Sequence, residues 1–78
     1  MHTAIWTMTD VKLGVAGQPD TIICQQTVAP RGKPVVRQWA LDRLKWCIAS
    51  NTGADCVMIL DENNKVVERV TARDIFGA

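Results

Sequence analysis

Residues 35–51, VVRQWALDRLKWCIASN, contain neither glycine nor proline, and this uninterrupted stretch constrains the fold more than any other part of the chain. It predicts one helix. Pro34 suits the first turn, where its missing N–H costs nothing, and Gly53 supplies a stop signal just beyond the run. At about 100° per residue with Val36 at zero, Ala40, Leu41, Leu44, Cys47 and Ile48 fall within about 20–140°, the stripe that a helix lays on a sheet. Val35, Trp39 and Trp46 fall at about 260–300°, so the apolar arc spans about 240° and leaves Gln38, Asp42, Lys45 and Ala49 as a polar ridge. One open sheet needs a stripe only somewhat wider than about 100°. At roughly 25 cal/mol per Å² of apolar surface, two indoles left in water forgo several kcal/mol, comparable with the whole stability of a small domain. Something is therefore expected to cover them, either the chain's own 11–19 loop or a protein surface.

The flanking segments read as strands. TAIWTM (3–8) alternates weakly and DTIICQQTV (20–28) more strongly, with KLGVAGQPD, containing two glycines and a proline, as the connection between them. After the helix, DCVMIL (55–60) is an apolar run of strand length, DENNK turns the chain with Asn63 or Asn64 in the left-handed conformation, and VVERVT (66–71) returns. With Asp61 opposite Lys65, the side chains of Cys56, Met58, Leu60, Val66 and Val70 are expected on one face. TARD (71–74) forms a weak capping box for a final turn. The expected architecture is α+β in the order β-β-α-β-β, one antiparallel sheet with a single helix packed on one face, as a single domain over residues 1–78.

Composition narrows the chemistry. The only histidine is His2, and the three cysteines, Cys24, Cys47 and Cys56, are odd in number and lack C-x-x-C spacing. They read as small buried hydrophobes in a reducing compartment, without disulfides, cofactor or metal. A Ser-His or Cys-His pair lacks its base, and the carboxylates Asp55, Asp61, Glu62, Glu68 and Asp74 show no telling pairing, so the expectation is a chain without catalysis. Asp61 and Glu62 are expected to solubilise the hairpin, and Glu68 to mark its open side. No apolar stretch approaches the length of a membrane span and no leader pattern opens the chain, which reads as soluble and cytoplasmic.

Arg31, Lys33 and Arg37 cluster at the helix start, where outward N–H groups and the dipole favour an anion. The pattern is not a phosphate loop: Thr27 stands where its first glycine belongs, and Pro34 where Ser or Thr should follow Gly-Lys. A formal net charge of +1 and strands without an aromatic stacking platform argue against nucleic acid, although Lys65, Arg69 and Arg73 could extend the basic loop. The cations read better as the rim of a contact surface on the following helix. In that reading Trp39 and Trp46 are the anchors, with Val35 beside them and Arg31, Lys33, Arg37 and Arg43 around them, and the partner is another protein or a second copy in a homodimer.

Two resemblances bear on function. ILDENNKVVERVTARDIF, with its Asp61-to-Thr71 spacing and T-x-R-D-I ending, resembles the end of a CBS motif, and TVAPRGKPV loosely resembles the approach to that family's first helix. The resemblance implies an adenine-nucleotide-binding regulatory half-unit in which Thr71 and Asp74 contact ribose and phosphate. Glu68 stands where that family has glycine, and residues 1–20 have no counterpart in it. By size and element order the whole chain resembles small phage and mobile-element proteins, including anti-CRISPR inhibitors. That likeness implies a stoichiometric inhibitor of a host protein complex, one that carries no active site.

Overall fold

The computed structural model describes residues 5–29 and 33–77, with Lys33 and Pro34 described by their backbone alone. The elements are β1 (Trp6–Lys12), β2 (Thr21–Val28), α1 (Lys33–Ala49), β3 (Cys56–Leu60), β4 (Val66–Thr71) and α2 (Ala72–Phe76). One antiparallel sheet runs in the order β2-β1-β3-β4, so the expected α+β class and element order stand, with α2 as a short second helix.

Helix α1 ends at Ala49, two residues short of the stretch the sequence suggested, and the left-handed residue that closes it is Asn51, ahead of Gly53. Asn51 takes φ 56°, its N–H bonds the Ile48 carbonyl at 3.1 Å, and Thr52 N–H reaches back to the Cys47 carbonyl at 3.1 Å. This pair of bonds closes the last turn on a left-handed residue, a conformation asparagine tolerates, and Gly53 at φ 95° then redirects the chain toward β3.

The β3–β4 hairpin turns on Asn64, at φ 63°, and the Asp61 N–H bonds the Lys65 carbonyl at 2.8 Å. Asp61 is more than a solubilising charge. Its Oδ1 accepts the N–H groups of Asn63 and Lys65 at 2.8 and 3.0 Å, fastening the loop from inside. The anticipated one-face set does not survive the register: Leu60 opposes Val66, but a shift between Ile59 and Leu60 puts Glu68 opposite Ile59 and Val70 opposite Val57. The extra residue rotates Val70 onto the other face, away from Cys56 and Met58.

The core lies between α1 and the face carrying Met8, Val57, Ile59 and Val70, which closes on Val36, Ala40 and Leu44. Trp6, Val28, Trp39, Leu41, Val67 and Ile75 pack around it, each partly buried. On the other face Val11 and Cys56 oppose one another, both fully buried, and Thr9 is 2% exposed beneath the Gln25 amide, which donates to its Oγ1 at 3.2 Å. The 13–20 loop bonds to Asp55 and to its own Asp20: Leu13 N–H to Asp55 Oδ1 at 2.8 Å and Gly14 N–H to Asp20 Oδ1 at 2.7 Å. A Cβ on Gly14 would sit 2.2 Å from the Gln18 carbonyl oxygen, so only glycine fits there. Among the described residues no helix is long and apolar enough to cross a membrane.

Candidate functional site

Two arginines fix the rotation of α1 on the sheet. Arg37, at about 100° on the helical wheel, donates Nη1 to Glu68 Oε1 on β4 at 3.1 Å and Nη2 to Asp74 Oδ1 on α2 at 3.4 Å. Arg43, at about 340°, reaches the opposite way to Asp10 on β1. The flank at about 260–340°, which holds Val35, Trp39, Arg43 and Trp46, is thereby turned toward β1 and β2.

Arg43 and Asp10 form a forked pair. Nε donates to both carboxylate oxygens, at 3.1 and 3.0 Å, and Nη2 to Oδ2 at 2.7 Å. The Asp10 side chain is 3% exposed and the Arg43 side chain 21%. These charge-assisted bonds lock the guanidinium plane, and donating to Asp10 holds the Arg43 pKa above its ordinary value. Over that fixed plane lies Trp46, its ring centroid 4.4 Å from Arg43 Cζ, an arrangement that draws the cation to the indole face. Trp46 remains 51% exposed and Val35 39%, whereas Trp39 packs against the core.

The structure thus brings together four of the seven residues expected at a partner surface and separates a fifth. Val35, Trp39, Arg43 and Trp46 share one flank; Arg37 sits on the other, engaged with Glu68 and Asp74. Arg31 lies outside the described residues, and Lys33 is placed only by its backbone at the start of α1. Arg43 is less a rim cation than the prop of Trp46. Sequence reasoning missed Asp10 because it ended the first strand at residue 8; the structure carries β1 on to Lys12 and leaves Asp10 2% exposed. Glu68 does not mark an open side, because it projects toward α1 and accepts from Arg37.

Thr71 and Asp74 are used locally. Thr71 N–H donates to Asp74 Oδ2 at 2.8 Å, and this backbone donor, with Arg37 behind it, holds the Asp74 carboxyl below the usual aspartate range. The expected capping box forms at the start of α2, and it occupies the carboxylate that the CBS resemblance would give to a nucleotide.

Helix α1 covers the β3–β4 side of the sheet and leaves β2 bare. Seven of its eight residues are exposed, with Ile22 at 58% and Ile23 at 40%. A shallow depression of about 540 Å³ along the β1–β2 pair is lined by Thr7, Gln25, Gln26 and Thr27, none of which titrates. Burial pushes the Cys47 and Cys56 thiols up, which keeps both as unreactive thiols at neutral pH. Among the described residues no group of three or more His, Cys, Asp or Glu could hold a metal ion. No family model matches the chain, and no curated protein or solved structure matches it.

Proposed function

We propose that this domain is a non-enzymatic protein-binding module that acts by occupying the surface of a larger protein, in the manner of a phage-type stoichiometric inhibitor. The observation that carries the reading is Trp46, half exposed yet held rigid from behind. Its ring rests on a guanidinium that a buried carboxylate has already oriented, so docking the indole into a partner's pocket costs little further conformational entropy. Trp and Arg are the residues most enriched among energetic anchors at interfaces, and Val35 extends the apolar strip along the same flank.

The test is capture from bacterial lysate by the immobilised full chain, wild type against Trp46→Ala, followed by affinity measurement on whatever protein is retained. An indole anchor is worth about 2 kcal/mol or more, so Trp46→Ala weakens that complex about thirtyfold or more while the variant still melts within a few degrees of wild type. Equal affinity for both forms overturns the reading.

A further inference from the structure

The two edges of the sheet are built differently. The β4 edge is six residues long, carries Glu68 and Arg69, is interrupted by a register shift and runs directly into α2. Charges, irregular register and abutting structure are the devices by which sheets avoid pairing with further strands. The β2 edge, TIICQQTV, has no charge, no proline and no glycine, and seven of its eight residues are exposed. Its one irregularity is the shift that leaves Ile23 opposite no residue of β1, while residues 24–28 pair regularly with β1 and present a straight row of outward backbone groups.

We propose that β2 pairs antiparallel with β2 of a second copy, joining two sheets into one of eight strands about a two-fold axis through Gln26. The symmetry follows from the pleat. Paired residues project from the same face, so a two-fold axis normal to the sheet must make one residue meet its own copy. Centred on Gln26, the regular 24–28 stretch is used in full: Gln26 meets Gln26, Gln25 meets Thr27, and Cys24 meets Val28. A glutamine amide carries both donor and acceptor, so two copies satisfy one another across the axis. Among the described residues of the monomer, the Gln26 amide donates to the Met8 sulfur at 3.6 Å, a weak acceptor.

Neutrality selects the occupant. A two-fold self-pair sets like beside like and would be penalised by any charge at its centre, and β2 carries none. The two α1 helices come to lie on the same side of the joined sheet, each turning its Trp46 flank toward the axis. The edge and that flank are separate surfaces, so this inference stands or falls apart from the proposed function.

Sedimentation equilibrium of the full chain, with reductant present so that Cys24 cannot link copies covalently, reads the dimer from micromolar to millimolar concentration. Gln26→Lys and Gln26→Glu each set like charges across the axis and raise the dimer dissociation constant about tenfold or more, and mixing the two variants in equal amounts restores association. Gln26 is exposed, so at concentrations where the wild type is monomeric both variants keep its melting temperature, and Trp46→Ala dimerises as wild type. A wild type that stays monomeric at millimolar concentration overturns the proposal. So do Gln26 variants that associate as wild type, a mixture that fails to recover, or a dimer lost in Trp46→Ala.

Discussion

The β3–β4 side of this molecule and its β1–β2 side use the same strand-forming residues to opposite ends. Val57, Ile59 and Val70 disappear under α1, while on β2 seven of eight residues are exposed: Gln26, paired with Met8, shares the helix face yet stays uncovered, and Ile22, paired with Val11, stands on the face away from the helix. The division follows from one helix on four strands: a cylinder about 10 Å across covers two strands spaced about 4.8 Å apart, and the others must find different cover. Stability is therefore concentrated on one side and available surface on the other.

The largest effect expected from this division is Leu44→Ala. It opens a cavity under a fully buried residue and costs about 2–5 kcal/mol, enough to bring a domain of this size close to unfolding, as a thermal melt would record. Ile22→Ala on the bare strand shifts stability by about 0.5 kcal/mol or less, and a cost equal to that of Leu44→Ala would abolish the contrast. Next comes Asp10→Ala, which strands the Arg43 guanidinium and unseats Trp46. With Arg43 partly solvated the loss is about 2 kcal/mol, less than for a fully buried pair, or roughly 10 °C in melting temperature. The tryptophan emission changes with it, because Trp46 loses its cation.

Arg37→Ala removes the more exposed ion pairs on the opposite flank and costs about 1 kcal/mol or less. A melt in which Arg37→Ala outweighs Asp10→Ala reverses the assignment of the stronger anchor. The pH dependence is smaller still. Asp74 titrates lower folded than unfolded, so its stabilisation is complete above the ordinary aspartate range and fades as pH falls through the depressed folded value. Asp74→Asn removes that part of the acid limb from a pH series of melting temperatures. Smallest of all is the effect of adenine nucleotides: with Asp74 already bonded to Thr71 and Arg37, millimolar AMP or ATP leaves the melting temperature where it was.

Much of the fold was legible because periodicity and turn chemistry agree. The 35–51 stretch has no competing signal, and Asn64 sits where a hairpin needs a positive φ. What the sequence hid depends on pairing between distant segments. The bulge that turns Val70 inward is a property of two strands, not of VVERVT read alone, and the stop at Asn51 rather than Gly53 depends on whether a non-glycine residue accepts the left-handed state. For the candidate surface, the wheel placed Val35, Trp39 and Trp46 on one flank but could not divide them. Trp39 packs on the core because it stands about two turns closer to the N-terminus, beside Val36 and Ala40, whereas Trp46 lies toward the other end of the helix and rests on Arg43. Asp10 was invisible because the expected strand ended at residue 8 and its partner lies far along the chain.

The pairing of β1 with β3 sets Met8 against Ile59. The middle of the sheet is thus stitched from the opening and the closing thirds of the chain, and helix α1 has no floor to lie on until both have arrived. On a ribosome, β1 and β2 would emerge early and wait as an unsupported ribbon while the rest is translated. Only when residues 56–71 leave the tunnel can the whole molecule set, in a single late event rather than piece by piece.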